Sequence, residues 1–417
     1  MALQEDRIRD GIAVIGAGTS GYLTVLYLCK NYPDIKIRWV YPQNNKPIGV
    51  GEATVPEVTL FLKELGITPK IIINEMNGTL KLGVKFKDFY KDGESYNHPF
   101  GGTDWEGFNI DYMIETNTVP DNILDYEEIA NHFDVRELML YLDKLLPTFP
   151  NLNIERWEVQ SASDLSEKIV IDCTGFRKSL LNQLIPDNFV SITDKIPNNS
   201  AYVYRAPYKS IEQKVPYTIS QAMNYGWAWN IPLGDKLTVG YVHDDKHDVY
   251  NEYINYLKTI YGDVDETKIN KVGMITGKNK EHIYESDQTV IAIGLSSFFI
   301  EPLESTGLYL VQFGILLFDD YINGKITADK YNDVYNHEFD TILDFIIAHY
   351  KFSTRDNEYW SHYKNLDAEL YKENNIFPKR SWDYILRGFG LSNYRPTMDR
   401  SFFAVRQGKK YNEKDFT

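Results

Sequence analysis

Lys81 stands in a short segment whose pattern allows chemistry at a buried amine. Residues 81–87 alternate polar and apolar side chains, which is typical of a β-strand with one buried face. The ordinary interpretation is therefore an amphipathic strand whose lysines face water. If Lys81 were instead buried, desolvation would lower its pKa. The side chain could then serve as a hydrogen-bond donor or as a neutral, nucleophilic amine.

A second candidate for chemistry is Glu304, in the segment Glu301-Pro302-Leu303-Glu304-Ser305-Thr306-Gly307. Its last three residues stand at a predicted helix start, where exposed backbone N–H groups favour an anion. A carboxylate beside an anion site is suited to general-base catalysis. Glu301, three residues earlier, could share one face of a helical turn with Glu304 or be a cap or surface charge. The structural alternative is a helix cap by Ser305 or Thr306.

The elements that position these residues begin with a nucleotide-binding loop. Residues 12–15 form an apolar run that predicts a buried parallel strand, and residues 36–41 predict a second strand. Between them an apolar helical pattern follows the loop Gly16-Ala17-Gly18-Thr19-Ser20-Gly21. The three glycines permit a tight turn, close approach to a pyrophosphate and close helix packing. A plain strand-to-helix turn is the alternative, because Val40-Tyr41-Pro42 replaces the acidic residue expected for a ribose.

Two more apolar segments, residues 168–175 and 289–294, have the character of strands in the same nucleotide domain. Because they lie far apart in the chain, we expect a discontinuous α/β domain of Rossmann type. Its core would span about 8–55, 165–180 and 285–320. An α/β substrate layer would cover it, formed by about 56–164 and 181–284. A mostly helical part, 321–417, completes a single unit over 8–417.

Three further segments suggest the surroundings of a planar ligand. The segment Gly49-Val50-Gly51-Glu52-Ala53-Thr54-Val55-Pro56 suits a strap against a bulky ring system, or a plain loop before a helix. His98 and Phe100 could form a stacking wall or simply pack in a loop. Trp227 and Trp229 are two residues apart and share one face of a predicted strand. For one of them, a core position is the alternative.

Composition limits the class of protein. The chain has 417 residues and a net charge of −15, which argues against nucleic acid or an anionic membrane as partner. No apolar run is long enough for a membrane span, and the N-terminus lacks the pattern of a signal peptide. The two cysteines have no zinc-like or redox spacing, so no metal site is expected and the cytoplasm is the default location.

Together these segments resemble the flavin-dependent halogenases of the tryptophan halogenase type, in order, over about residues 10–360. The loop at 16–21, the strap at 49–56, Leu80-Lys81 and the tryptophan pair in Gly226-Trp227-Ala228-Trp229-Asn230-Ile231-Pro232 all match. The match continues through residues 98–101, 132–134, 172–177, 301–307 and 344–350. The tryptophan motif and the Glu-Ser-Thr-Gly motif are far more specific than the glycine loop.

The resemblance implies a two-component enzyme. Reduced FAD, supplied by a separate flavin reductase, would react with O2, and halide would be oxidised to hypohalous acid. The acid would travel an internal tunnel to Lys81 and halogenate an electron-rich aromatic ring, with Glu304 assisting. Chloride, bromide and iodide all remain candidates, as does a homo-oligomer. A flavin monooxygenase or reductase, and a non-catalytic flavin-binding protein, are the alternatives.

The resemblance also assigns residues. FAD would contact Gly16, Ala17, Gly18, Thr19, Ser20, Gly21, Val50, Ala53, Leu295 and Leu308. Halide would lie near Ser305, Thr306 and Gly307. His98 and Phe100 would line the ring pocket, and Trp227 and Trp229 would separate substrate from flavin.

The C-terminal part departs from the family pattern. Members that act on free tryptophan carry a longer aromatic insert there, whereas the corresponding segment of this chain, residues 371–382, has only twelve residues. We therefore expect a more open site for indoles, phenols or azoles, with Phe377 and Trp382 as partial walls. In this shortening the chain resembles viral members of the cyanophage type, and for such a member the location would be the host cytoplasm.

Overall fold

A computed structural model describes residues 8–44, 51–101, 109–176, 179–372, 374–392 and 409–410. Its strands are β1 Ile12–Ile15, β2 Ile37–Val40, β3 Gly51–Ala53, β4 Thr79–Lys81, β5 Gly83–Lys87, β6 Ser95–Pro99, β7 Thr118–Val119, β8 Ala130–Asp134, β9 Leu152–Glu155, β10 Ile169–Asp172, β11 Phe189–Ser191, β12 Ser200–Pro207, β13 Thr218–Met223, β14 Gly226–Pro232, β15 Lys236–His243, β16 Asn270–Gly273, β17 Gly277–Asn279, β18 Ile283–Tyr284, β19 Thr289–Ala292, β20 Phe298–Phe299 and β21 Lys409–Lys410.

The α-helices are α1 Thr19–Asn31, α2 Pro56–Glu64, α3 Pro69–Glu75, α4 Ile110–Thr116, α5 Val135–Leu145, α6 Leu180–Leu184, α7 Tyr250–Tyr261, α8 Gly307–Ile322, α9 Ala328–Lys351, α10 Glu358–Lys364 and α11 Lys379–Gly388. A 3-10 turn, Pro302–Glu304, precedes α8. Over the described ranges, no helix combines the length and the apolar character that a bilayer crossing requires.

A six-stranded sheet in the order β18-β19-β10-β1-β2-β9 forms the first layer and contains the four strands predicted from the sequence. Strands β19, β10, β1, β2 and β9 are parallel, and only β18 runs antiparallel. All four residues of β1, β10 and β19 are buried, as expected for parallel strands covered on both faces. The α/β fold predicted from the four apolar segments is thereby confirmed.

The edge strand β9 was not anticipated as part of this sheet. It pairs in parallel with β2, so the sheet takes a strand from residues 56–164, which the sequence analysis placed in the covering layer. Its residues are only partly buried, and their apolar signal is accordingly weak. The division of the chain into a cofactor core and a substrate layer remains a prediction.

A seven-stranded sheet, β16-β12-β15-β14-β13-β5-β6, packs as the second layer. Cross-strand partners in a sheet share a face, and its register pairs Tyr96 with Phe86, Phe86 with Ser220 and Ser220 with Trp229. His98, two residues after Tyr96, lies on that same face. One face of this sheet therefore carries the candidate ring-pocket histidine and the tryptophan motif together.

The segment around Lys81 is divided between two sheets. Strand β4 belongs to the small sheet β3-β8-β4, whereas β5 belongs to the seven-stranded sheet. Leu82 lies between them: its N–H donates to Pro216 O at 2.7 Å, and its carbonyl accepts from Phe100 N–H at 2.8 Å. Lys81 and Lys85 thus lie on different sheets, and Lys81 is buried while Lys85 is partly exposed. The interpretation that these lysines all face water is wrong for Lys81.

Among the described residues, the predicted helical part, 321–417, consists mainly of α9, α10 and α11, and the 24-residue α9 is its longest helix. Helix α8 lies almost wholly in the segment 285–320 assigned to the cofactor core. The inner face of α9 is almost continuously buried from Thr341 to Tyr350. Helix α11 packs on β6 and closes against it: a Cβ added to Gly388 would lie 2.3 Å from the Tyr96 ring. These contacts bring the last helices onto the site-bearing face of the seven-stranded sheet.

The close fit around the tryptophan motif gives a stability prediction. A Cβ added to Gly240, which pairs with Trp229, would lie 2.0 Å from the Trp229 ring. Overpacking of this kind costs about 1–3 kcal/mol. We expect Gly240→Ala to lower the free energy of unfolding by that amount, measured by urea denaturation.

The matched control is Gly273→Ala, also in a strand, where an added Cβ meets no atom within 4 Å. We expect its free energy of unfolding to stay within about 0.5 kcal/mol of the wild type. Equal effects of the two substitutions would show that the Trp229 contact is not tight.

Candidate active site

Lys81 ends β4 and is fully buried, with 0% of its surface exposed. Its Nζ donates hydrogen bonds to the Thr54 carbonyl oxygen and to Ser305 Oγ, both at 2.7 Å. It also lies 4.8 Å from the centre of the Phe100 ring, within reach of a cation–π contact. One amine thus joins the end of the strap, the segment after Glu304 and the candidate ring pocket.

Burial sets the protonation of this amine. Desolvation lowers the pKa of Lys81 from 10.5 to about 7, and the negative charge of Glu304 opposes the shift. Near neutral pH both the ammonium and the free amine are therefore accessible. Both chemical roles considered for a buried lysine at this position remain open.

Glu304, the last residue of the 3-10 turn, is also fully buried and lies between two histidines. His98 Nδ1 lies 2.9 Å from Glu304 Oε2, and His349 Nε2 lies 2.7 Å from Glu304 Oε1. Burial alone would raise the pKa of Glu304. The charge of His98 and the hydrogen bonds from both histidines outweigh it and lower the pKa to about 2. The side chain is a carboxylate throughout the physiological range.

His349, on α9, contacts Glu304 and two aromatic residues. Its Nδ1 lies 2.8 Å from the Tyr96 hydroxyl, and its ring stacks on Phe86 with centroids 4.3 Å apart. Burial lowers the pKa of His349, against the opposing effect of Glu304. The sequence analysis gave His349 no role. His349 lay within the segment 344–350 that matches the family pattern, but the match carried no role for it.

Ser305, Thr306 and Gly307 connect the 3-10 turn to α8. Ser305 has a left-handed backbone, with φ of 62°, which is uncommon outside glycine and characteristic of constrained functional loops. Thr306 occupies the N-cap position of α8 without capping it, and its buried Oγ1 has no hydrogen-bond partner among the described residues. An added Cβ at Gly307 would meet no atom within 4 Å. The helix-cap interpretation is therefore wrong, and the segment keeps donors and space for an anion.

Glu301 belongs to a different buried network. Its carboxylate accepts from Asn198 Nδ2 at 2.6 Å and from the Tyr350 hydroxyl, and no part of it is exposed. Burial raises the pKa of Glu301 to about 7, against hydrogen bonds from Asn198 and Tyr350. The interpretation of Glu301 as a surface charge is wrong. It anchors the segment before Glu304 to Asn198 and to Tyr350 on α9.

Aromatic rings surround His98. The ring centroids of Phe345, Phe377 and Phe100 lie 5.4, 5.9 and 6.1 Å from that of His98. Phe345 stacks on Phe377 at 3.9 Å, and Trp382 contacts Phe345 edge-on at 4.8 Å. Phe377 thus joins the wall around His98, whereas Trp382 supports it from behind Phe345. Phe345 was not identified from the sequence.

Trp227 and Trp229 lie on the same face of β14, with 1% and 6% of their surfaces exposed and ring centroids 6.1 Å apart. Neither indole N–H has a hydrogen-bond partner among the described residues. Both rings are core-like in burial. They stand on the sheet that carries His98, beside the network that holds the Glu304 segment.

The nucleotide loop has the geometry that its glycines predicted. Gly16 has φ of 104°, and a Cβ there would lie 2.3 Å from the Cys173 carbonyl oxygen. A Cβ on Gly21 would lie 2.2 Å from Gly16 O, so this glycine permits close packing of α1. At Gly18 an added Cβ would meet nothing within 4 Å, which leaves room for a ligand at the N-terminus of α1.

The other residues assigned to the cofactor are distributed around this loop. Ser20 lies against Gly294, where an added Cβ would come within 2.6 Å of its side chain, and Leu295 follows directly. Ala17 and Leu308 are buried, and Thr19 and Ala53 are partly buried. Val50 lies outside the described residues. Open space at this loop is therefore shown beside Gly18.

The ribose position is unusual, as the sequence analysis noted. Tyr41 follows β2 and is buried, and the Arg156 guanidinium stacks over its ring at 4.1 Å. Arg156 follows β9, so the unanticipated edge strand places a cation next to the end of β2. This arginine could not be found from the sequence, because β9 was not assigned to the sheet.

Comparison with known proteins identifies similar chains. The sequence profile of the family described as tryptophan halogenase matches residues 11–131 and 150–402. The tryptophan 6-halogenase ThaL of Streptomyces albogriseolus is 29% identical over 428 residues, covering 87% of this chain and 80% of its own length. The tryptophan 7-halogenase RebH of Lentzea aerocolonigenes is 26% identical, covering 86% and 79%.

A solved structure supports the same fold. A flavin-dependent halogenase from Xanthomonas campestris superimposes with a TM-score of 0.80 at 21% identity. The superposition covers 94% of this chain and 92% of that one. The fold thus extends over nearly the full length of both chains.

The buried amine gives a prediction on stability against pH. The pKa of Lys81 is lower in the folded than in the unfolded state, so between pH 7 and 10.5 the unfolded chain binds more protons. The free-energy cost of burying the charged Lys81 amine has its full value below pH 7 and falls as the pH rises. Relative to Lys81→Met, we expect the wild type to gain about 2 kcal/mol between pH 6.5 and 8.5.

Urea denaturation across this pH range measures the free energy of unfolding of both proteins. The difference between the two values isolates Lys81, because the other titratable groups are present in both proteins. Lys87→Met is the control, since this lysine on the next strand is partly exposed. A pH-independent difference for Lys81→Met would mean that the amine keeps its ordinary pKa.

Proposed function

The chain belongs to the tryptophan halogenase family, and from this premise we propose that Lys81 and Glu304 form the centre of its halogenation site. It is a flavin-dependent halogenase that uses reduced FAD from a separate flavin reductase, together with halide and O2. The observation that carries the assignment of the site is the pair of hydrogen bonds from Lys81 to Thr54 and Ser305. They place the amine between the strap and the segment proposed for halide.

For the cofactor we propose the groove along residues 16–21, completed by Ala53, Leu295 and Leu308. The open space beside Gly18, at the start of α1, suits the pyrophosphate of FAD. When bound and reduced, FAD supplies the electrons that activate O2 for halide oxidation. Trp39 contributes by donating from Nε1 to the Gly16 carbonyl at 2.9 Å, which fixes the loop.

For halide we propose Ser305, Thr306 and Gly307. The start of α8 offers backbone N–H groups, Thr306 offers an unpartnered hydroxyl, and Gly307 borders open space. Ser305 Oγ already accepts from Lys81, so the amine and the halide segment are in direct contact. Hypohalous acid formed near this segment would meet Lys81 as the nearest buried donor.

At Lys81 two reactions are chemically possible. The ammonium form donates a hydrogen bond to the oxygen of hypohalous acid, and this makes the halogen more electrophilic. The neutral amine instead displaces water from hypohalous acid and forms a haloamine. The pKa of about 7 allows either form, and in both the halogen leaves Lys81 for the aromatic substrate.

For substrate we propose a small electron-rich aromatic compound of the indole, phenol or azole class. Phe100 and Phe377 flank His98 and offer stacking surfaces, while Trp227 and Trp229 would keep the ring away from the flavin. Free tryptophan is disfavoured, because the segment 371–382 is short and Trp382 is fully buried behind Phe345.

We also propose a cytoplasmic location, because Cys29 and Cys173 are both free thiols. A homo-oligomer remains a prediction.

The function is tested by mass spectrometry of products. Each reaction contains FAD, a flavin reductase, NADH and O2, with chloride, bromide or iodide and one of indole, phenol or pyrazole. We expect halide-dependent halogenated product from the wild type and none from Lys81→Ala, which still oxidises flavin and releases peroxide. We expect Glu304→Gln to bind FAD normally and to lose at least about 100-fold in rate.

Lys85→Ala is the matched control and should halogenate normally, since Lys85 lies on the neighbouring strand outside the site. Hydroxylated product without halogenation would support a flavin monooxygenase. Tight FAD binding with no product under any halide would support a binding protein. Normal product from Lys81→Ala would make Lys81 a strand residue only, and loss of FAD from Glu304→Gln would make Glu304 structural.

A further inference from the structure

Each carboxylate oxygen of Glu304 lies close to a histidine nitrogen. Oε2 is 2.9 Å from His98 Nδ1 and Oε1 is 2.7 Å from His349 Nε2, and all three side chains are at least 98% buried. A fully buried carboxylate held between two histidines has little freedom to reach a proton on a substrate.

The ionised Glu304 carboxylate determines where the histidine protons lie. A carboxylate only accepts hydrogen bonds, so the nitrogen facing each oxygen carries the hydrogen. His349 therefore holds its proton on Nε2, and its Nδ1 accepts from the Tyr96 hydroxyl at 2.8 Å. His98 holds its proton on Nδ1, so in neutral His98 the lone pair is on Nε2. Among the described residues, Nε2 of His98 has no hydrogen-bond partner.

His98 and Lys81 lie at the same aromatic surface. Lys81 Nζ is 4.8 Å from the Phe100 ring centroid, and the His98 ring is 6.1 Å from it, nearly perpendicular. Phe345 and Phe377 complete the wall on the His98 side. A planar substrate against this surface would have the halogen donor and an imidazole lone pair within one site.

We propose that His98 is the base that removes the ring proton after halogen transfer, and that Glu304 acts through His98 as its positioning residue. This inference rests on the proposed halogenation at Lys81. The arrangement parallels the carboxylate–imidazole pairs of hydrolases, in which the carboxylate orients the imidazole and stabilises the imidazolium. His349 and Tyr96 hold the carboxylate from its other side.

The proposed step balances as follows. The ring carbon forms a bond to halogen while the halogen–oxygen bond of hypohalous acid breaks, and hydroxide leaves as water with a proton from the Lys81 ammonium. The cationic ring then loses its C–H proton to His98 Nε2, and the C–H electron pair restores aromaticity. Glu304 compensates the imidazolium charge. Proton return from His98 to Lys81 leaves ArH + HOX → ArX + H2O.

The test compares protio and ring-deuterated substrate in single-turnover reactions. The probe is whichever of indole, phenol and pyrazole the wild type halogenates fastest. In the wild type we expect equal rates for the two isotopologues, because a well-placed base makes proton loss fast. His98→Gln should be slower by about 100-fold or more, and its remaining reaction should be markedly slower with deuterium.

Phe345→Leu is the matched control for structural effects, because it alters the ring packed on His98 without removing the base. We expect this variant to change KM or rate with no isotope effect. His98→Asn provides a second variant if His98→Gln fails to fold, as judged by circular dichroism and FAD binding. Both His98 variants should show the same isotope effect.

The outcomes separate this inference from the proposed function. Absence of halogenated product from the wild type would contradict the proposed function itself. A normal wild type with His98 variants that keep the rate, or lose rate without an isotope effect, would overturn the role of His98 alone. In that case the proton would be removed by another group, with Glu304 the first to test.

Discussion

A fully buried amine holds three distant parts of this chain together. Lys81 ends β4, and its two hydrogen bonds reach the end of the strap at Thr54 and the loop at Ser305, 224 residues away. An ammonium without partners would be too costly to bury, so the fold supplies acceptors and lets the pKa fall to about 7. The same desolvation that costs stability gives the amine its reactivity. The rest of the site is arranged around this compromise.

The ionisation of Glu304, the negative partner of this amine, is also set by its neighbours. Glu304 stays ionised in the interior because His98 and His349 offset its desolvation, and Tyr96 in turn fixes His349. Removing one member of such a network leaves a buried charge or lone pair without a partner, which costs more than the intact contacts contribute. Nearby, Glu301 shows the opposite outcome. With neutral partners only, its pKa rises to about 7.

Sheet geometry brings these networks to one place. The seven-stranded sheet sets His98 and the tryptophan motif on a single face through its register, and α9 lays Phe345 and His349 across it. The parallel sheet carries the loops with Gly16, Gly18 and Gly294, for which the cofactor site is proposed. The proposed flavin and ring sites would thereby lie on different sheets.

The sequence by itself determined the parts whose signals are local. Apolar runs and glycine spacing specified four of the five parallel strands and the loop at 16–21, and motifs indicated Lys81, Glu304 and Trp227 as candidates. Only the tertiary structure decided that Lys81 is buried, since alternation along residues 81–87 shows which side a residue faces but not which sheet it joins. Leu82 separates β4 from β5, and this break places Lys81 on a different sheet from Lys85. His349 reaches Glu304 only through folding, and the pKa values of Lys81 and Glu304 follow from burial and neighbours that no local pattern encodes.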